Sequence, residues 1–167
     1  MNQPTKHPFI SYLESLAISQ ERGALAALRR GLGQPPGTAA EMFRYVVPWL
    51  PQKAGRAQEA VYYLIASLFA LHPQSTEEGN LGAHLARTRS EGGEEALERR
   101  FTALLAAHPD DLPFYLRQAV SFLKSKEIAV NWNQLLRDLQ NWDHPDRFVQ
   151  KAWAGSFWGK SQAISEP

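Results

Sequence analysis

Cysteine is absent from this chain of 167 residues, which excludes a disulfide framework, thiolate zinc sites and a cysteine nucleophile. No stretch approaches the roughly 20 consecutive apolar residues that a membrane-spanning helix needs. The first residues, MNQPTKHPF, also lack the apolar centre of a signal peptide. We therefore expect a cytoplasmic protein that does not enter a membrane.

Strand signals are missing as well, since no segment alternates apolar and polar residues and no Asn-Gly type hairpin turn occurs. Apolar residues instead recur at helical spacing along most of the chain. The pattern predicts an all-α fold, a compact helical bundle of eight or nine helices. A proline- and glycine-containing linker at residues 72–80 divides it into an N-terminal helical half, 1–76, and a C-terminal half, 77–167. We expect both halves to pack as a single compact unit.

Motifs of catalysis, metal binding and nucleotide binding are absent too. The chain has no HExxH pair, no P-loop and no G-x-G-x-x-G, and residues 155–159, GSFWG, do not form a nucleophile elbow. Four of the five histidines precede proline, which is typical of helix boundaries. We interpret the aspartates of HPDD and HPDR as helix caps, and predict no enzyme activity, metal or cofactor. A helical hydrolase using His108 with Asp110 or Asp111 is a remote alternative.

Charge is nearly balanced overall but unevenly distributed. The formal net charge is +1, far from the strongly basic balance of an autonomous nucleic-acid binder. Residues 22–58 nevertheless hold six basic side chains against the single acid Glu41, whereas residues 77–111 hold eight acids against four arginines. The basic region can lie on a phosphate backbone while the acidic region faces solvent or a basic neighbour.

Residues 80–108 predict a helical hairpin around which the other elements are arranged. Its first helix carries Arg87 and Arg89, its turn contains glycines 92 and 93, and the apolar residues of its second helix fall on one face. Arg99 projects opposite that face and Arg100 lies at its flank. The ordinary alternative is a solvated surface on which Glu95 pairs with Arg99.

Arginine and lysine are the remaining candidates for function. Guanidinium groups suit phosphate because their fork donates two parallel hydrogen bonds and stays charged. Arg44 has an equally good alternative, since an arginine inside an aromatic segment can pair with a buried acid. The predicted nucleic-acid-binding residues are Arg29, Arg30, Arg44, Arg56, Arg87, Arg89, Arg99, Arg100, Arg117, Lys124 and Lys126.

Tryptophan is plentiful, with five residues. Trp49 and Trp132 fall in apolar stripes, which predicts that they are core residues. Trp142, Trp153 and Trp158 lie less cleanly on such a face. One of these three is expected at a protein–protein contact.

Four segments together resemble a known family. They are residues 42–50, MFRYVVPWL; the LG-x-x-LAR of residues 81–87; the ERRF-x-x-LL of residues 98–105; and residues 131–142, NWNQLLRDLQNW. In order and spacing they are similar to the CasB family, the small subunit of the type I-E CRISPR surveillance complex Cascade. The resemblance covers residues 25–157 or so.

The resemblance implies an all-helical, non-catalytic subunit that packs in two copies beside other Cascade subunits. It implies contacts to the crRNA and to the target and displaced DNA strands, with the displaced strand of the R-loop stabilised. Related chains look basic at Arg29, Arg30, Arg44, Arg56, Arg99, Arg100 and Arg117. The alternative function is a helical protein-binding adaptor whose arginines meet acidic partners.

Overall fold

The computed structural model describes residues 5–159, which form nine α-helices and two short 3₁₀ turns. The only extended pairing in this range is an isolated parallel bridge between Ser75 and Val130. The predicted all-α fold is confirmed. The helices are α1 (Pro8–Ile18), α2 (Arg22–Arg29), α3 (Phe43–Val46), α4 (Arg56–Leu71), α5 (Leu81–Ala86), α6 (Glu94–Leu105), α7 (Leu112–Ser125), α8 (Trp132–Gln140) and α9 (Phe148–Trp158).

Histidine–proline pairs lie at helix boundaries, as predicted. His7 is the N-cap of α1, its Nδ1 accepting the backbone N–H of Phe9 at 3.1 Å, and Pro8 opens the helix. His72 is the C-cap of α4. The other two pairs lie between α6 and α7 and between α8 and α9. Proline cannot donate a backbone hydrogen bond and restricts the residue before it, so each pair lies where a helix begins or ends.

The central helix of the bundle is α4, as its long apolar pattern predicts. Its residues from Ile65 to Ala70 are all buried, and it packs against α2, α7 and α8. It therefore contacts helices of both predicted halves. Residues 5–159 include no helix that is both long and apolar enough to cross a membrane.

Two helix ends depend on the local backbone. Residues 40–49 form a short α-helix between two 3₁₀ turns, because Pro48 interrupts the hydrogen-bond ladder. The hydroxyl of Thr38, just before this segment, donates to the carbonyl of Pro35 at 2.6 Å. The last helix, α9, begins at Phe148, directly after Arg147, which adopts a left-handed conformation with φ of 54°.

The proposed aspartate caps are confirmed in position at one of the two sites. Asp111 is the N-cap residue of α7, although its side chain makes no cap bond, whereas the N-cap residue of α9 is Arg147. His108 Nδ1 accepts the backbone N–H of Asp110 and His144 Nδ1 accepts that of Asp146, each at 3.1 Å. Each histidine therefore stabilises the turn before a helix and does not cap the helix itself.

The tryptophans divide differently from the prediction. Trp132 is buried, as expected, whereas Trp49 is only half-buried and stacks on Tyr12 with 4.9 Å between ring centroids. Trp142 and Trp153, two of the three tryptophans that lie less cleanly on an apolar face, are buried at 2% and 0% exposure. They pack together at 5.0 Å where α8 and α9 meet. Only Trp158 is exposed, at 45%.

A group of buried polar side chains, the polar seam, connects α5, α8 and α9. It consists of His84, Asn131, Gln134, Asp138 and Trp153. The backbone N–H of Asn131 donates to His84 Nε2 at 3.0 Å. The indole of Trp153 and the amide of Gln134 donate to the two carboxylate oxygens of Asp138 at 2.7 and 2.8 Å. Each buried polar group thus has a partner that offsets its desolvation.

Gly82 lets α5 and α9 approach closely at this seam. A Cβ atom at Gly82 would lie 2.2 Å from the backbone carbonyl oxygen of Trp153. Only glycine fits between the two backbones. The tightest helix contact in the C-terminal half therefore rests on a missing side chain.

Candidate nucleic-acid interface

The predicted basic residues lie at the surface. All except Arg89, which is half-buried, have exposed side chains. Arg87 and Arg89 follow α5 rather than lying on it, because that helix ends at Ala86. Arg99 and Arg100 lie on α6. Arg117 and Lys124 lie on one face of α7, two turns apart, and Lys126 lies just beyond the end of that helix.

Few of these cations are neutralised by acids. Arg89 pairs with Glu94 at 3.2 Å, and within residues 5–159 no other predicted binding residue has a carboxylate within 4.0 Å. The expected Glu95–Arg99 pair does not form. Glu95 instead lies in the first turn of α6, where the helix dipole stabilises a negative charge. Arg44 has no acidic partner in the same range and lies over the Tyr45 ring at 5.2 Å.

Three candidates have structural contacts of their own. Arg29 donates to the carbonyl of Ala70 at 3.1 Å, which fixes the end of α2 to α4. Arg89 lies over the Phe157 ring at 4.2 Å, and Lys126 over the Phe122 ring at 5.6 Å. These side chains are partly committed to the fold.

Arg100 and Arg117 come together across a groove of about 560 Å³ between α6 and α7, which we call the basic groove. Among its lining residues there is no aspartate or glutamate. The floor is apolar and the two guanidinium groups are the charged groups at its walls. The lining residues are Leu85, Leu97, Arg100, Phe101, Leu104, Phe114, Tyr115, Arg117, Gln118, Ala119, Ser121 and Phe122.

A second, wider cavity of about 1150 Å³ adjoins the basic groove. It is lined by the glycine loop, residues 31–37, and by parts of α4 and α7, with Asp110 and Asp143 among its walls. Arg117 and Phe114 line both cavities. The Arg117 guanidinium lies against Gly33, since a Cβ there would be 3.0 Å from its Nη1.

This contact joins residues that are distant in the sequence. The glycine loop follows Arg29 and Arg30 directly, so the loop brings the end of α2 towards Arg117. Because Arg117 also lines the basic groove with Arg100, the surface connects α2, α7 and α6. Of the eleven predicted residues, only Arg100 and Arg117 line these cavities. The other nine line neither of them: Arg29, Arg30, Arg44, Arg56, Arg87, Arg89, Arg99, Lys124 and Lys126.

The sequence analysis missed Phe114, which lies at the boundary of the two cavities and is 61% exposed. A signal was present. The buried stripe of α7 consists of Leu112, Leu116, Val120 and Leu123, and Phe114 falls about 200° away from Leu112 at 100° per residue. A large aromatic residue off the apolar stripe indicates a surface contact.

Nowhere in residues 5–159 do three or more His, Asp or Glu side chains form a group that could hold a metal ion. His108 and Asp110 lie 3.6 Å apart in an exposed turn. That turn is outside the basic groove.

Comparison with known proteins identifies the family. Residues 24–158 match the model of CRISPR-associated protein Cse2. The chain belongs to the Cse2 family. The CRISPR-associated protein Cse2 of Thermus thermophilus is 35% identical over 160 residues, which is 95% of this chain and 92% of that protein. The resemblance read from the sequence motifs is confirmed.

Solved structures agree with this assignment. The crystal structure of CasB from Thermus thermophilus has a TM-score of 0.80 and 34% identity, covering 91% of this chain and 96% of that one. CasB from M. ruber has a TM-score of 0.69 and 30% identity, over 92% and 98%. A chain of a CRISPR RNA-guided surveillance complex has a TM-score of 0.75 and 30% identity, over 89% and 88%.

Proposed function

We propose that this Cse2-family chain is a non-catalytic subunit of a CRISPR RNA-guided surveillance complex. In that complex it contacts the backbones of crRNA and target DNA and stabilises the displaced strand of the R-loop. It packs there beside other Cascade subunits and a second copy of itself. Similarity to a chain from such a complex supports the assembly.

The observation that carries the nucleic-acid role is the basic groove. Arg100 and Arg117, from helices separated in the sequence, line one groove whose walls hold no carboxylate. A cation without an acidic partner keeps its field available to a polyanion. Arginine also matches the geometry of a phosphate by donating two parallel hydrogen bonds.

Weak contacts are sufficient for this function. Opening DNA against a guide RNA is close to energetic balance, since the heteroduplex is about as stable as the duplex that it replaces. A few charged hydrogen bonds of about 1 kcal/mol each can then decide how long the R-loop stays open. Guide pairing reads the sequence, and this subunit recognises charge and shape.

The test is charge reversal in the reconstituted surveillance complex. Arg100→Glu, Arg117→Glu and Lys124→Glu together are expected to shorten the R-loop lifetime at least about tenfold, because three phosphate contacts become repulsive. Lys124 lines neither cavity but lies two turns beyond Arg117 on the same face of α7. The matched control reverses Arg22, Lys53 and Lys151, which are also exposed but lie outside α6 and α7. That control is expected to leave the lifetime unchanged.

A salt series separates this function from a protein-binding adaptor. Counterion release predicts that the groove variant lowers the slope of log affinity against log salt by about 2 for single-stranded DNA. An unchanged lifetime together with normal assembly would show that the groove does not hold nucleic acid. A slope near zero in the wild-type complex would favour the adaptor.

A further inference from the structure

The basic groove contains an exposed aromatic ring that electrostatics alone does not explain. Phe114 is 61% exposed although it lies in a helix whose apolar stripe is fully packed. Burying a phenylalanine side chain stabilises a fold, and this chain forgoes most of that gain. Within residues 5–159 its only aromatic neighbour is Tyr115, edge-on at 5.3 Å.

The ring stands among the groups that bind a phosphate backbone. Arg117 and Gln118 follow Phe114 at i+3 and i+4, so the three side chains share one face of α7. Arg100 lines the same groove from α6. Phe114 and Arg117 also line the neighbouring cavity under the glycine loop. Phe114 therefore lies where the cavity under that loop meets the groove that holds Arg100.

We propose that Phe114 is a base-stacking residue that makes the basic groove selective for single-stranded nucleic acid. The inference rests on the proposed function and adds the form of nucleic acid that the groove takes. Aromatic side chains between basic residues hold single strands because every base has a π-face. In a duplex the bases already stack on one another, so the ring has nothing to bind.

Charge and size support this occupant. A groove with two arginines and no acid is complementary to a polyanion. Its volume of about 560 Å³ is within the range of about 300–1,000 Å³ that is usual for ligand sites. Its apolar floor and polar Gln118 and Ser121 suit a base and its sugar together.

The experiment compares oligonucleotides that differ only in their bases. Fluorescence anisotropy on the full chain at about 50 mM salt, where phosphate contacts are strong, measures binding of oligo-dT and of an abasic strand of equal length. Wild type is expected to bind oligo-dT at least about fivefold more tightly. Phe114→Leu is expected to remove that preference without changing the salt slope. Phe114→Trp should restore it.

The matched control is Phe148→Leu. Phe148 is also exposed, at 42%, but lines neither cavity. The substitution Phe148→Leu is expected to leave the affinities for oligo-dT and for the abasic strand unchanged. Arg117→Ala should weaken binding of both strands and lower the salt slope, because it removes a phosphate contact.

Other outcomes overturn the inference in distinguishable ways. Equal binding of both strands by wild type, with Arg117→Ala still weakening both, would exclude stacking and leave the proposed function intact. If wild type bound neither strand, alone or in the reconstituted complex, both the stacking inference and the proposed function would be wrong. If Phe114→Leu lowered only incorporation into the complex, the groove would be a protein interface.

Discussion

The polar seam and the basic groove use charged and polar side chains in opposite ways. In the seam, His84, Asn131 and Asp138 are buried and each has a hydrogen-bond partner at 3.0 Å or less. In the groove, Arg100 and Arg117 are exposed, and no side-chain hydrogen bond or ion pair to residues 5–159 involves them. Polar groups that face inward stabilise this fold, whereas those that face outward are available to a partner.

The difference follows from the cost of desolvation. A buried polar group without a partner loses its hydrogen bonds to water, which costs about 1–3 kcal/mol. An exposed arginine keeps its hydration and costs the fold little. Removing a residue of the seam should therefore affect stability, and removing a residue of the groove should affect binding.

The largest effect is expected for Trp153→Ala. The side chain is fully buried and its indole donates to Asp138, so the substitution leaves a cavity and removes the donor to one of the two Asp138 carboxylate oxygens. We expect a loss of about 3–5 kcal/mol in the free energy of unfolding, measured with urea. Trp158→Ala is the control, since that ring is 45% exposed. Equal losses for both variants would contradict the distinction between the buried and exposed tryptophans.

A second effect depends on pH. Burial, with a smaller contribution from the Arg87 charge, lowers the pKa of His84 from 6.5 to about 4. Between pH 4 and pH 6.5, His84 therefore binds a proton in the unfolded chain but not in the folded chain. The contribution of His84 to the free energy of unfolding is fully present above pH 6.5 and falls by about 2–3 kcal/mol as the pH decreases towards 4.

Urea unfolding of wild type and His84→Gln at pH 7.5 and pH 5 isolates this effect. Burial raises the pKa of Asp138, so the contribution of that group to stability changes with pH in the opposite direction to that of His84. Because both proteins contain Asp138, its contribution cancels in the comparison. We expect a smaller loss of stability at low pH for the variant. Parallel losses would show that His84 protonates freely in the folded protein.

A moderate effect is expected where α5 crosses α9. Gly82→Ala forces a methyl group against the backbone carbonyl of Trp153, and overpacking of this kind costs about 1–3 kcal/mol. Gly155→Ala in α9 is the matched control, because a Cβ there meets nothing within 4 Å. It should stabilise the chain by about 0.5–1 kcal/mol. Thermal unfolding measures both.

The smallest effect on stability is expected at the basic groove and at Lys124 beside it on α7. Arg100→Ala, Arg117→Ala and Lys124→Ala should each change the free energy of unfolding by no more than about 0.5 kcal/mol, as is usual for exposed sites without partners. The same urea titrations measure this. A loss above about 2 kcal/mol in any one of them would mean that the groove stabilises the fold, as the seam does.

The amino-acid sequence by itself determined the helices and most of their boundaries. Apolar residues at helical spacing mark α4, α6 and α7, and the histidine–proline pairs mark the ends of helices, because both signals are local properties of the backbone. The four family motifs are local in the same sense, and the match to the Cse2 family confirms them.

The tertiary structure alone decided which side chains meet. Trp142 and Trp153 are buried because α9 faces the turn that follows α8, which no helix pattern contains. Arg117 lies against Gly33 and shares a groove with Arg100 for the same reason. Periodicity assigns a residue to a face of its own helix, but the neighbour of that face depends on how the helices pack.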